Sequence, residues 1–186
     1  MTRTPVIGLV GSSAGGVEEI RERLVEPFLA LGYGVAVTLT PTAAIWLDAV
    51  GEISKIEDET GYVVRHAPRL PGEESPHPNV DCYLVAPASA NTVAKLALGI
   101  ADNQALTQLC EAIGGRSLPV IVFPRVNAAH AGQPAWDNHI GALRRAGVHL
   151  VYGEDVWPLH SPRSAPGRQL PWQAIIDATN AVVGGS

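Results

Sequence analysis

Pro5-Val6-Ile7-Gly8-Leu9-Val10-Gly11-Ser12-Ser13-Ala14-Gly15-Gly16 opens the chain with an unbroken apolar run that stops at a cluster of small residues. A run of that length suits a strand buried on both faces, and the small residues suit a tight turn into a helix. Val17, Ile20, Leu24, Phe28 and Leu31 then recur at helical spacing, and Gly32 and Gly34 close that helix. The alternation continues along the chain. Strand-sized apolar runs are predicted at Val35–Leu39, Tyr62–Val64 (the weakest), Cys82–Ala86, Val120–Phe123 and His149–Tyr152. Helical patterns fall at Ala43–Val50, Asn91–Leu98, Asn103–Ile113, Ala135–Ala146 and Trp172–Val183.

Unbroken apolar strands separated by helices predict an α/β fold with an open parallel sheet covered on both faces. The expected architecture is a Rossmann-like (flavodoxin-like) three-layer sandwich, in one domain over residues 1–186. Two stretches, 67–79, rich in Pro, and 153–171, with Pro, Ser, Gly and Arg, break the rhythm and read as loops; the second, with Arg163 and Arg168, reads as solvated and basic, with folding over an active site as the alternative. In such sheets ligands sit outside the carboxyl ends of the strands.

Composition narrows the function. A content of 46% hydrophobic and 17% charged residues is that of a globular domain, and a net charge of −5 argues against sequence-independent binding of nucleic acid. The longest apolar runs are too short to span a bilayer, so no membrane segment is expected. Cys82 and Cys110 fit no metal spacing and are too few for a disulfide framework, which points to a cytoplasmic protein without a metal site. Both read as buried apolar filler.

The strand ends carry the chemistry. Gly11-Ser12-Ser13-Ala14-Gly15-Gly16 lets a phosphate approach the backbone, with a helix N-terminus and serine hydroxyls as donors. It is neither a P-loop nor a Gly-x-Gly-x-x-Gly turn. The second strand ends in Thr38-Leu39-Thr40-Pro41-Thr42, with no carboxylate for a ribose diol, which disfavours a nicotinamide dinucleotide. Pro87-Ala88-Ser89-Ala90-Asn91-Thr92 puts several short polar groups at one helix entrance, more than capping requires.

Pro-Ala-Ser-Ala-Asn-Thr, then Lys95, then Gly99-Ile100-Ala101-Asp102-Asn103, resembles the signature of the homo-oligomeric flavin-containing cysteine decarboxylases. That family includes phosphopantothenoylcysteine decarboxylases and peptidyl-cysteine decarboxylases. The resemblance runs from the first strand to about Tyr152. It implies FMN held between the subunits of a trimer, sometimes assembled into dodecamers, and a small-molecule or peptide substrate. It implies that Gly11, Ser12, Ser13, Thr40, Thr42, Ser89, Ala90, Asn91 and Thr92 line the flavin site. The implied chemistry is oxidation of a thiol-bearing unit followed by loss of CO2, leaving an enethiol.

The likeness departs from the pattern in three places. The family's catalytic histidine falls at Glu73, flanked by His66 and His77, and either of these is a candidate base. The second signature, Pro-x-Met-Asn-x-x-Met-Trp, survives as Pro124-Arg125-Val126-Asn127-Ala128-Ala129-His130, which leaves Asn127 as the candidate contact for the substrate carboxylate. Where phosphopantothenoylcysteine decarboxylases carry a Cys near the last strand, this chain has Tyr152 or a neighbour. Trp136 reads as core. Two other readings stay open beside the decarboxylase: a flavoprotein of different, prenyltransferase-like chemistry, and a non-catalytic flavin-binding subunit. The central motif disfavours a nucleotide-binding domain without flavin.

Overall fold

A computed structural model of the protein describes residues 3–184. Five strands, β1 (Val6–Gly11), β2 (Gly34–Leu39), β3 (Cys82–Ala88), β4 (Val120–Pro124) and β5 (His149–Leu150), form one sheet. All are parallel, in the order β2-β1-β3-β4-β5. Side chains alternate across the sheet with period two. Ile7, Leu9, Leu84 and Phe123 enter one core, and Val10, Val85 and Val122 enter the other. Both faces are buried, which is why the strands read as unbroken apolar runs. The predicted α/β sandwich is the observed architecture.

Helices cover the first core with α1 (Glu26–Ala30), α2 (Pro41–Ala49), α3 (Glu52–Thr60) and α8 (Trp172–Val183). The second core is closed by α4 (Ala90–Leu98), α5 (Gln104–Gly115) and α7 (Trp136–Arg145). A short α6 (Ala128–Ala131) follows β4. The first predicted helix is in fact three segments: a 3₁₀ turn at Val17–Glu19, a π-helical turn at Arg21–Val25, then α1. Its apolar positions are buried as the spacing required, apart from Leu31, which lies past the helix end and is exposed.

α3 carries no continuous apolar face, only Ile53 and Ile56 among polar residues, and its sequence predicts no element. It is held from outside. Arg21 bonds Glu52 at 2.7 Å and Glu59 at 2.9 Å, and their carboxylates hold its guanidinium protonated well above its ordinary range. Tyr62–Val64, conversely, is not a strand. The Val64 N–H donates to the Glu57 carboxylate at 2.8 Å, and a His77 ring nitrogen lies 2.7 Å from the Val63 carbonyl. Side chains thus take the main-chain groups a ladder would need, and a single bridge between Arg65 and Thr38 remains.

The loop at 153–171 is exposed along most of its length, Arg163 included, and is anchored at two points. Trp157 and Leu170 are buried in the first core, with Trp157 edge-on to Phe123 at 5.8 Å between ring centres. The buried aromatic area outweighs the polar composition around it, so the loop folds back over the carboxyl end of the sheet.

Candidate functional site: a groove across the carboxyl ends of the strands

β1, β2 and β3 end side by side, and three turns leave them toward helices. Ser12 ties two of these ends together. Its fully buried hydroxyl donates to the Pro87 carbonyl at 2.9 Å and accepts from the Ser89 N–H at 2.7 Å. Gly11 is likewise buried beneath the groove. Both residues build the floor, leaving Ser13 as the one of the trio that lines open space.

That space is one groove in three contiguous cavities. A cavity of about 200 Å³ is bounded by Ser13, Thr40, Thr42, Asn91, Thr92 and the Lys95–Asp102–Asn103 corner. Sharing Ser13 and Asn91 with it, a cavity of about 390 Å³ runs past Ser89 and Ala90 to Arg125, Asn127 and His130. Sharing Arg125 and Asn127 in turn, a third of about 220 Å³ lies under the 153–171 loop. Of the nine residues expected at a flavin, seven line this groove: Ser13, Thr40, Thr42, Ser89, Ala90, Asn91 and Thr92.

The local reasons are visible in the caps. Ser89 caps α4, its hydroxyl accepting from the Thr92 N–H at 3.2 Å. Asn103 caps α5 through the Leu106 N–H at 3.1 Å. Asp102 is ion-paired to Lys95, which holds its carboxyl below the usual range. Together they place Lys95, Asp102 and Asn103 as one wall of the groove.

The groove offers donors without partners. Among the described residues, the N–H groups of Ser13, Gly15, Thr42, Ala90 and Asn91, all of which line the groove, make no hydrogen bond within the chain. Thr40 is buried, yet its Oγ1 has no partner. Unsatisfied donors from two strand-to-helix turns and a helix entrance at one place form an anion cradle. A phosphorylated, heteroatom-rich ring system such as FMN fits these residues.

Asn127 stands at the junction of the second and third cavities. Its side-chain oxygen accepts from the His130 N–H at 3.0 Å and caps α6, and its amide N–H₂ has no partner among the described residues. The turn role and a ligand-binding role therefore coexist, one on each side of the same amide. His130 is exposed on the same wall.

The structure brings neither His66 nor His77 into the groove of its own chain. His66 is exposed, one residue past the bridge to Thr38, on the outer edge of β2. His77 lines a different cavity with Arg65, Tyr83 and Gly8. Burial pulls its pKa down, with a smaller contribution from Arg65, against the opposing Val63 hydrogen bond. A histidine depressed in the folded state binds fewer protons than the unfolded chain, so stability should fall as pH drops through the unfolded value near 6.5. Thermal unfolding between pH 7 and 5 should show this loss, and His77→Gln should flatten it; an unchanged slope in the variant would assign the loss to other groups.

Cys82 is buried as expected, and burial pushes its thiol up to about 12. Cys110 is only half-buried, with burial raising it less. Trp136 is core, its indole N–H donating to Tyr152 at 3.0 Å. No described helix is long and apolar enough to cross a membrane.

The sequence profile of the family described as flavoprotein matches residues 6–184. The chain belongs to the flavoprotein family. Among similar sequences, a cysteine/cysteine sulfinic acid decarboxylase from an unknown prokaryotic organism is 39% identical over 71 residues, 38% of this chain and 19% of that protein. A probable phosphopantothenoylcysteine decarboxylase of Arabidopsis thaliana is 37% identical over 71 residues, 38% of this chain and 34% of that protein. This flavoprotein chain thus matches about a third or less of each of those relatives' length. Among solved structures, the FMN-dependent cysteine decarboxylase TvaF from thioviridamide biosynthesis superposes with a TM-score of 0.64 at 25% identity, over 95% of this chain and 99% of that one. A mutant PPC decarboxylase gives 0.66 at 20%, over 98% and 100%, a likeness of fold.

Arg125, His130 and Trp157 are groove residues to which the sequence alone gave no role. Arg125 and His130 were within reach, because they sit in a recognisable strand-end motif. Trp157 gave only the signal of an aromatic inside a Pro- and Ser-rich loop.

Proposed function

We propose that this flavoprotein binds FMN in the groove and decarboxylates a thiol-bearing carboxylic acid or cysteinyl substrate. The observation that carries the reading is the convergence of unpartnered N–H groups and the orphaned Thr40 hydroxyl on one groove that the family signature lines. Ser13, Thr40, Thr42 and the Ser89–Thr92 turn would hold the cofactor. When bound there, FMN supplies two-electron oxidation of the thiol-bearing carbon.

The chain's own residues do the rest. The free amide N–H₂ of Asn127 orients the substrate carboxylate toward the centre of the groove. His130 serves as the base that takes the proton, since it is the histidine on the wall beside Asn127. His66 would reach a groove only on a neighbouring copy, and His77 acts as a structural pin. Purified holo-protein supplied with thiol-bearing acids and cysteinyl peptides should release CO2 with formation of an enethiol. A holo-protein that releases none from any of them would remove the decarboxylase and favour a flavin-binding subunit.

We also propose that the protein works as a homotrimer, alone or within a dodecamer. Ile45 and Trp46 of α2 are 68% and 46% exposed, and Leu98 at the end of α4 is 64% exposed. Both helices flank the groove, so a copy covering these apolar side chains would also close the cofactor site. Trp46→Asp should leave a monomer by sedimentation and weaken FMN retention; a trimer that persists would place the interface elsewhere. Free Cys82 and Cys110 suit a reducing compartment, which we take to be the cytoplasm.

A further inference from the structure

The third cavity has a chemistry of its own. Its walls carry three arginines, Arg125, Arg163 and Arg168, together with His160 and Asn127, around the indole of Trp157. The Arg168 guanidinium carbon lies 4.1 Å from the Trp157 ring centre, and that of Arg125 lies 4.8 Å from it. Two cations on one ring gain from its π face and repel each other. Arg125 registers the conflict: burial, then the charge of Arg168, pulls its pKa down, while Glu18 acts weakly the other way.

None of the three arginines makes a salt bridge among the described residues. The buried Nε of Arg125 has no hydrogen-bond partner. Arg168 donates to the Pro158 carbonyl, and Arg163 makes no side-chain hydrogen bond among the described residues. The Glu18 carboxylate is already engaged, accepting from the Gly16 N–H at 2.9 Å. Arg163 also sits at φ 62°, a left-handed backbone that costs an arginine energy and persists where the surroundings enforce it. In a chain of net charge −5, this concentration of unpaired positive charge is local. The cavity of about 220 Å³ has room for an acid group.

We propose that this cavity is an acid-group subsite, so that the substrate carries a second anionic group beyond the carboxylate held at Asn127. The inference rests on the proposed function, because it names the substrate class of the same groove. Guanidinium forks match planar oxyanions in two-point contacts, and the buried indole of Trp157 gives the arginines an apolar floor on one side. Asn127 and Arg125 border both cavities, so a short dianion can bridge from one to the other.

Calorimetric titration of the purified protein with mercaptosuccinate, a thiol with two carboxylates, and with 3-mercaptopropionate, a thiol with one, tests this. The dianion should bind at least about tenfold more tightly at low salt, and Arg168→Gln and Arg163→Gln should each bring that preference near parity. Succinate and inorganic phosphate as competitors distinguish a carboxylate from a phosphoryl preference, and either one displacing the dianion supports the subsite. Equal affinities in the wild type, a preference that survives both variants, or loss of flavin from Arg168→Gln would overturn it. A colourless protein that still prefers the dianion through Arg168 would keep the subsite and remove the flavin reading. A yellow protein without the preference would do the reverse.

Discussion

Replacing His130 by asparagine in the FMN-loaded protein is expected to slow CO2 release by about 10²–10⁴-fold, the usual worth of a positioned general base. The side chain is exposed and its backbone N–H, not its ring, meets the α6 cap, so the groove should survive the change. The flavin spectrum should therefore stay in place while turnover falls. His77→Asn should keep turnover within a few-fold, because its ring belongs to a separate cavity. Single-turnover measurement of CO2 on both variants decides. A full rate in His130→Asn together with a lost rate in His66→Asn would move the base to a neighbouring copy.

Gly16→Val is expected to cost about 3 kcal/mol of folding stability. Gly16 has φ +98°, a conformation side chains rarely adopt, and a Cβ there would lie 2.3 Å from Leu170 Cδ1. Leu170 is buried, so it cannot swing aside cheaply. For a domain of this size such a loss lowers the melting temperature by roughly 6–12 °C. The substitution also pushes the 153–171 loop away from the turn that leads out of β1, so flavin retention and the loop should fail together. A variant that melts within about 2 °C of wild type, by the same scan, would mean the loop relaxes around the side chain.

The sheet was legible because its strands are apolar on both faces and alternate with helical patterns, the combination a covered parallel sheet produces. Val6–Gly11, Gly34–Leu39 and Val120–Pro124 fall within a residue of their predicted bounds, and Trp172–Val183 coincides with its own. α3 was not legible, since its apolar pair is too sparse and its stability comes from Arg21, thirty-one residues before Glu52. Tyr62–Val64 misled for the opposite reason: the side chains read as strand, while Glu57 and His77 claim the backbone.

The groove divides the same way. Ser13, Thr40, Thr42 and Ser89–Thr92 were readable from the strand ends, where the fold must place them. That Ser12 would be spent joining β1 to β3 was not readable, because its hydroxyl partners lie seventy-five and seventy-seven residues away. Nor was the arginine cluster, which depends on one loop tryptophan burying itself against Phe123. Local pattern reveals what the chain does over a few residues; contacts across the sheet appear only in three dimensions.

The central claim is that the groove holds FMN. An absorbance spectrum of the purified protein, before and after heat release, with chromatography of the released chromophore, tests it most directly. A flavin spectrum whose chromophore elutes as FMN, near one per chain, is the predicted result. A colourless protein that stays colourless after incubation with FMN would contradict it.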